Sequence, residues 1–241
     1  MKQSFTFKQF EVRQERCAMK VGTDGVLLGA WARVGHCNRI LDMGTGTGLV
    51  ALMAAQRSKA NIVAIDLDTD AVAQAAENVA ASPWNNRIQV MEADAREFAC
   101  SEFSIQHSDS FFDAILCNPP FFENSLKCPD SARTMARHTD TLSFDELARS
   151  AARLLAPQGE LSVVIPYDRA HDMTVSAACF GLFATRQAIV VPVEGGKPKR
   201  ILMAFNREGT SHVVETLVIQ DKQRQYTAEY VRLVEEFYLK L

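Results

Sequence analysis

The chain has 241 residues, 47% hydrophobic and 23% charged, a globular composition that excludes disordered and low-complexity classes. Lys and Arg number 26 against 29 Asp and Glu, so the formal charge of −3 lacks the basic excess of a protein that wraps duplex nucleic acid. Any nucleic-acid contact must therefore be a local patch. The six cysteines, at positions 17, 37, 100, 117, 128 and 179, form no C-x-x-C pair and have no His at metal-ligand spacing, which fits a reduced, metal-free, cytoplasmic protein. Met1 to Phe10 (MKQSFTFKQF) interrupts the apolar core that a signal peptide needs, and no later window approaches the roughly eighteen apolar residues of a membrane span.

In chain order, Ser4 to Val12 alternates Phe5, Phe7 and Phe10 with polar residues, an imperfect strand or arm signal. A helix pattern follows over Gly25 to Ala32, with Thr23 or Asp24 as the expected cap. Short β-rich runs then occupy Arg39 to Asp42, Ile62 to Asp66, Ile88 to Met91, Phe112 to Cys117 and Leu161 to Ile165. Helical patterns separate them at Leu49 to Arg57, Thr69 to Ala80 and Phe144 to Leu155. That alternation predicts an α/β fold with a doubly wound, Rossmann-like, mostly parallel sheet, because right-handed crossovers place helices on both faces. A helix over Asp168 to Phe180 leads to strands Arg186 to Val193 and Arg200 to Phe205, joined by a Gly/Pro turn and expected to close the sheet as a C-terminal antiparallel hairpin. Ser211 to Gln220 and Thr227 to Leu239 offer one more strand and an amphipathic helix. With no repeat and no long polar linker, one domain over 1–241 is expected, residues 1–35 forming an extension of the core at 36–241.

Ile40-Leu41-Asp42-Met43-Gly44-Thr45-Gly46-Thr47-Gly48-Leu49 runs an apolar strand into three alternate glycines and then a helix. Glycine permits positive φ and lets a ligand touch the backbone. The dinucleotide fingerprint G-x-G-x-x-G wants Gly or Ala where Leu49 stands, and no phosphate-binding G-x-x-x-x-G-K-[ST] loop occurs. Asp66 closes the next strand, where an acid can accept both hydroxyls of a ribose. Asp42 would repel a pyrophosphate but attract the ammonium of an amino-acid moiety. Together these point to S-adenosylmethionine. Asp94, with Ala95 beside it, could face an adenine amino group, and a plain helix N-cap explains it equally well.

The strand Phe112 to Cys117 ends abruptly in Asn118-Pro119-Pro120-Phe121, a turn that two prolines hold rigid. It falls beside the glycine loop at the topological switch point of such a sheet. The Asn118 side-chain oxygen and the Pro119 carbonyl would supply two acceptors for one planar amino group, stabilising positive charge as its nitrogen attacks. Phe121 would stack on the substrate.

Leu41 to Gly48 and Asn118 to Phe121 resemble the class I S-adenosylmethionine-dependent methyltransferases that modify exocyclic or amide nitrogens. Adenine, guanine and protein-glutamine enzymes share both motifs. Phe7 to Phe10, Cys17 to Gly25, Glu77-Asn78 and Ser82-Pro83-Trp84 are similar to the bacterial tRNA adenine-N6 methyltransferases that act on the adenosine just 3′ of the anticodon, position 37, in a valine tRNA. This resemblance implies that Lys20, Thr23 and Asp24 pack by the cofactor, that Asp42, Gly44, Gly46 and Gly48 hold its methionine end, that Asp66 binds ribose and that Asp94 and Ala95 face adenine. Asn118 to Phe121 would be catalytic, with Phe121 standing where many relatives carry Tyr. The implied partner is tRNA, with no metal and a monomeric state. An rRNA guanine-N2 enzyme, a protein glutamine methyltransferase and a non-catalytic cofactor-binding RNA protein remain alternatives.

Cations for RNA occur in two runs. Met1 to Lys20 has five Lys/Arg, and Lys197 to Arg207 has four with no acid. Both could equally be solvated faces. Arg133, Arg137 and His138 follow the Asn-Pro-Pro-Phe turn, where a tRNA-ordering role or an ordinary surface position is open.

Overall fold

The computed structural model describes residues 4–17, 19–99, 111–119, 142–210 and 212–240. Ser4–Thr6 (β1) and Glu11–Arg13 (β2) pair as an antiparallel hairpin rather than a single strand. Thr23–Trp31 (α1), Arg39–Met43 (β3), Leu49–Arg57 (α2), Asn61–Asp66 (β4), Thr69–Ala80 (α3), Ile88–Glu92 (β5), Ala95–Phe98 (α4) and Phe112–Cys117 (β6) follow. Phe144–Leu154 (α5), Leu155–Pro166 (β7), a 3-10 turn at Tyr167–Arg169, Ala170–Cys179 (α6), Phe183–Val193 (β8), Arg200–Asn206 (β9), Val213–Gln220 (β10) and Ala228–Val234 (α7) complete the described elements.

Eight strands form one sheet in the order β10-β8-β9-β7-β6-β3-β4-β5. The pairings from β7 through β6 and β3 to β5 are all parallel. Ile40, Leu41 and Met43 are wholly buried because a parallel sheet is covered on both faces, which favours unbroken apolar runs over alternation. One core packs α1, α2 and α7 against the sheet. The other packs α4, α5 and α6 on the opposite face. The chain steps from β3 to β4 on one side and returns to β6 on the other, so the switch point lies at the carboxyl end of β3.

Several sequence expectations shift. The last hairpin does not simply follow β7: β9 lies beside β7, antiparallel, and β8 is placed outside it. Strand β10 then adds to β8 in parallel. Neither Thr23 nor Asp24 caps α1, since Gly22 holds the N-cap position without a side-chain bond. Asp24 instead pairs with Arg200 at 2.8 Å, which its position inside the first turn allows. Helix α7 stops at Val234, well before Leu239. Phe237 is buried and Tyr238 bridges to Phe7, where the rings of Phe5, Phe7 and Tyr238 cluster, so aromatic burial takes the last residues out of the helix.

Candidate active site

Strand β3 delivers Gly44, Gly46 and Gly48 at φ 75, 54 and 81°, a left-handed series that only glycine adopts without strain. The Gly44 and Thr45 amides both donate to the Ile65 carbonyl at 2.9 Å, fixing the loop to β4. The Gly46 amide donates to Asp66 Oδ2 at 2.8 Å. A Cβ added at Gly44 or Gly46 would meet nothing within 4 Å, whereas one at Gly48 would touch Ala75 on α3 at 3.4 Å. The first two glycines thus leave their backbone open, and the third lets α2 and α3 approach.

Asp42 does not stand in the wall of this space. It is 1% exposed and turned beneath the loop. Its Oδ2 accepts from Thr45 Oγ1 at 2.6 Å and from the Ala51 amide at 3.0 Å. Gly48 caps α2 without a side chain, so Asp42 supplies from below the acceptor that a capping residue would have given. Burial pushes the Asp42 carboxyl up from 3.8 to about 7, against the two hydrogen bonds. The folded protein therefore holds this proton more tightly than the unfolded chain, and the stabilisation is full below about pH 4 and lost as pH rises through about 7. Asp42→Asn keeps one oxygen for both donors and removes that titration. Wild-type melting temperature should fall relative to the variant between pH 4 and 7; parallel profiles would refute this linkage.

A cleft of about 220 Å³ opens at the switch point, lined by Gly44, Gly46, Asp66, Asp94, Ala95, Asn118 and Pro119 among others. Of the residues singled out from sequence, these converge. Lys20, Thr23, Asp24, Asp42 and Gly48 do not line it. Pro120, Phe121, Arg133, Arg137 and His138 lie outside the described residues. Besides Gly46, Asp66 accepts from the Asp68 amide through Oδ1 at 3.0 Å. Asp94 caps α4 by accepting from the Arg96 amide at 2.8 Å, and the Arg96 guanidinium folds back onto the same carboxylate. That hydrogen bonding holds the Asp94 carboxyl below the usual range. Arg96 also reaches Glu146 at 3.4 Å, at the start of α5, where Ser143 and Glu146 form a capping box.

The N-terminal arm shares in the wall, but through residues other than the Lys20, Thr23 and Asp24 singled out from sequence. Cys17 and Met19 line the cleft, and Asn118 Nδ2 sits 3.8 Å from the Met19 sulfur. Two buried amides on α3 hold the arm there. Gln74 Oε1 accepts from the Glu15 and Arg16 amides at 3.0 and 3.2 Å. Asn78 accepts from the Arg13 amide at 2.9 Å and donates to the Arg13 and Thr47 carbonyls at 2.8 Å each, tying arm and glycine loop to one side chain. The only sequence signal was a pair of polar residues four apart on the buried face of a helix. Burial pushes the Cys17 thiol up to about 11 and the Cys117 thiol higher still, so both behave as core rather than as nucleophiles.

Residues 24–181 match the family model described as the methyltransferase small domain. The chain belongs to the methyltransferase small domain family. A relative from Phocaeicola vulgatus named tRNA1(Val) (adenine(37)-N6)-methyltransferase is 50% identical over 237 residues, covering 98% of each chain. One of the same name from Haemophilus influenzae is 44% identical over 238 residues, again covering 98% of each. The crystal structure of a predicted O-methyltransferase from Agrobacterium tumefaciens matches with a TM-score of 0.65 at 20% identity, covering 89% of this chain and 96% of that one. The fold of this family member is the class I methyltransferase fold, with the cleft at the sheet's switch point. No helix among the described residues is long and apolar enough to cross a membrane.

Proposed function

We propose that this methyltransferase transfers a methyl group from S-adenosylmethionine to the exocyclic N6 of the adenosine just 3′ of the anticodon in a valine tRNA. The observation that carries the reading is near-full-length identity of 50% to a relative of that name, on a chain whose Asn118 and Pro119 line the cleft. The rRNA guanine and protein glutamine readings lose ground because the adenine relatives match the arm and the C-terminal strands as well as the glycine loop.

The cleft suits the cofactor by its own geometry. Gly44 and Gly46 leave open space above a backbone that a side chain would fill, and the Asp66 carboxylate keeps acceptor capacity toward that space for two hydroxyls. Asp94, already engaged by Arg96, presents its remaining acceptor capacity beside Ala95. Lys20, Asp24, Asp42 and Gly48 act from behind the wall, by fixing the arm, α1 and the glycine loop. When bound, S-adenosylmethionine supplies a methyl group activated by its sulfonium charge.

Asn118 and Pro119 act on the acceptor nitrogen. Pro119 has a fixed φ, and a proline following it in sequence restricts its ψ to the extended region, so its carbonyl is rigidly presented beside the Asn118 amide. Two acceptors on one amino group orient its lone pair toward the cleft and stabilise the positive charge that develops on nitrogen. The proton becomes acidic only after attack, so no strong base is required beforehand. Phe121 provides the stacking face. An anticodon-loop target is already single-stranded, which lowers the cost of extruding the base. The whole chain acts as one monomeric domain in the cytoplasm, where its tRNA substrate resides.

The test offers labelled cofactor with unmodified tRNA, rRNA fragments and a protein acceptor in separate incubations. Label should enter tRNA alone; label in rRNA or protein instead would overturn the substrate assignment.

A further inference from the structure

The run Lys197 to Arg207 is one basic segment in sequence, but the sheet divides it. Strand β9 is antiparallel to β7, with Arg200 opposite Pro166, so its start lies at the carboxyl edge that carries Asn118, and its far end lies at the opposite edge. Arg207, at that opposite edge, hydrogen-bonds the Ala152 and Leu155 carbonyls. Strands β8 and β10 run parallel to each other and both end at the active-site edge. Two turns, 194–199 and 221–226, therefore stand side by side on that edge, joined by the Glu194 amide donating to the Gln220 carbonyl at 2.8 Å.

These turns expose Lys197, Lys199, Lys222 and Arg224 against two acids, Glu194 and Asp221. Asp221 is consumed internally, its Oδ1 accepting from the Gln223 and Gln225 amides at 2.8 and 2.9 Å. Among the described residues none of the four cationic side chains has an ion-pair partner, unlike Arg200, which Asp24 neutralises. Tyr226 and Tyr167 are 46% and 40% exposed, the Tyr226 ring also resting 5.1 Å from that of Tyr230, and the Tyr167 amide donates to the Lys199 carbonyl at 3.2 Å, which puts Tyr167 beside the first turn. Arg224 is also set apart by its backbone. At φ 65° it is the single non-glycine residue with positive φ among those described, a strained conformation that glycine would occupy freely. The turn is closed around it by the Asp221 amide on the Gln225 carbonyl and the Arg224 amide on the Asp221 carbonyl.

We propose that this rim, comprising Lys197, Lys199, Lys222, Arg224, Tyr167 and Tyr226, is the surface that grips the phosphate backbone of the tRNA beside its target base. The inference rests on the proposed tRNA reading and extends it to a surface. Strands are spaced about 4.8 Å apart, so the two cationic turns lie about 10 to 20 Å from Asn118 along the sheet edge, two to four strands away, with Tyr167 between them and the site. That is the reach of a few nucleotides. Cations interleaved with exposed rings suit a flexible nucleic-acid strand, whose phosphates and base faces alternate. A chain of net charge −3 then binds RNA through one edge.

The test compares wild type with Lys197→Ala/Lys199→Ala, with Arg224→Gly, and with the triple variant, using Lys59→Ala at the opposite edge as control. Arg224→Gly relieves the φ strain, so its melting temperature should hold or rise while its RNA contact is lost. The triple variant should raise the KM for tRNA transcript about tenfold and flatten the log–log salt dependence of binding by about one unit per lost contact, with kcat and cofactor affinity unchanged. Lys59→Ala should match wild type. If wild type methylates tRNA and the folded triple variant shows the same KM and salt slope, the rim assignment falls alone. If wild type methylates no tRNA, the proposed function falls and takes the rim with it.

Discussion

Asn118→Ala should lower methyl transfer by about three orders of magnitude while leaving cofactor affinity nearly unchanged, the behaviour of a group that acts on developing charge. The change deletes the side-chain acceptor oxygen and the amide nitrogen that touches the Met19 sulfur, but leaves Pro119 and the strand β6 that presents it. Single-turnover rates with tRNA, read against cofactor titration by calorimetry, separate the two effects. Equal turnover in variant and wild type would remove Asn118 from the chemistry. Asn118→Asp keeps the oxygen acceptor but adds charge, so it should retain more activity than alanine does.

Asp66→Ala should have the opposite signature, weakening cofactor affinity by about 10- to 100-fold with a smaller effect on the rate at saturation. Its carboxylate has two duties. It fixes the Gly46 amide at 2.8 Å and the Asp68 amide at 3.0 Å, and it faces the cleft. Alanine leaves both amides without this acceptor and the loop less defined, in addition to the lost ligand contact. Asp66→Asn retains one acceptor oxygen and should fall between the two. An unchanged calorimetric titration in Asp66→Ala would refute the ribose role.

The convergence of Gly44, Gly46, Asp66 and Asn118 was legible in sequence because each sits where an apolar strand meets a turn, and such sheets bind ligands at those ends. The orientation of Asp42 was not. Electrostatics alone directs its charge at a ligand, but the uncapped start of α2 lies nearer and claims the same oxygen. Asp94 stayed ambiguous for a related reason: it caps α4 and pairs with Arg96, and it also lines the cleft, so the two readings coexist. Cys17 and Met19 enter the wall only because Gln74 and Asn78, about sixty residues away in sequence, bind the arm's backbone. No local period encodes that contact. The order of the last three strands was hidden likewise: a hairpin signal pairs β8 with β9 but does not say which of them reaches β7. The basic run from Lys197 to Arg207 was visible as charge, and only the antiparallel course of β9 shows that it faces two edges.

The measurement closest to the central claim is nucleoside mapping of valine tRNA after incubation with the protein and S-adenosylmethionine. One N6-methyladenosine is expected, in the fragment just 3′ of the anticodon, and none when that adenosine is replaced by guanosine. Methylated guanosine, or N6-methyladenosine at any other position, would contradict it.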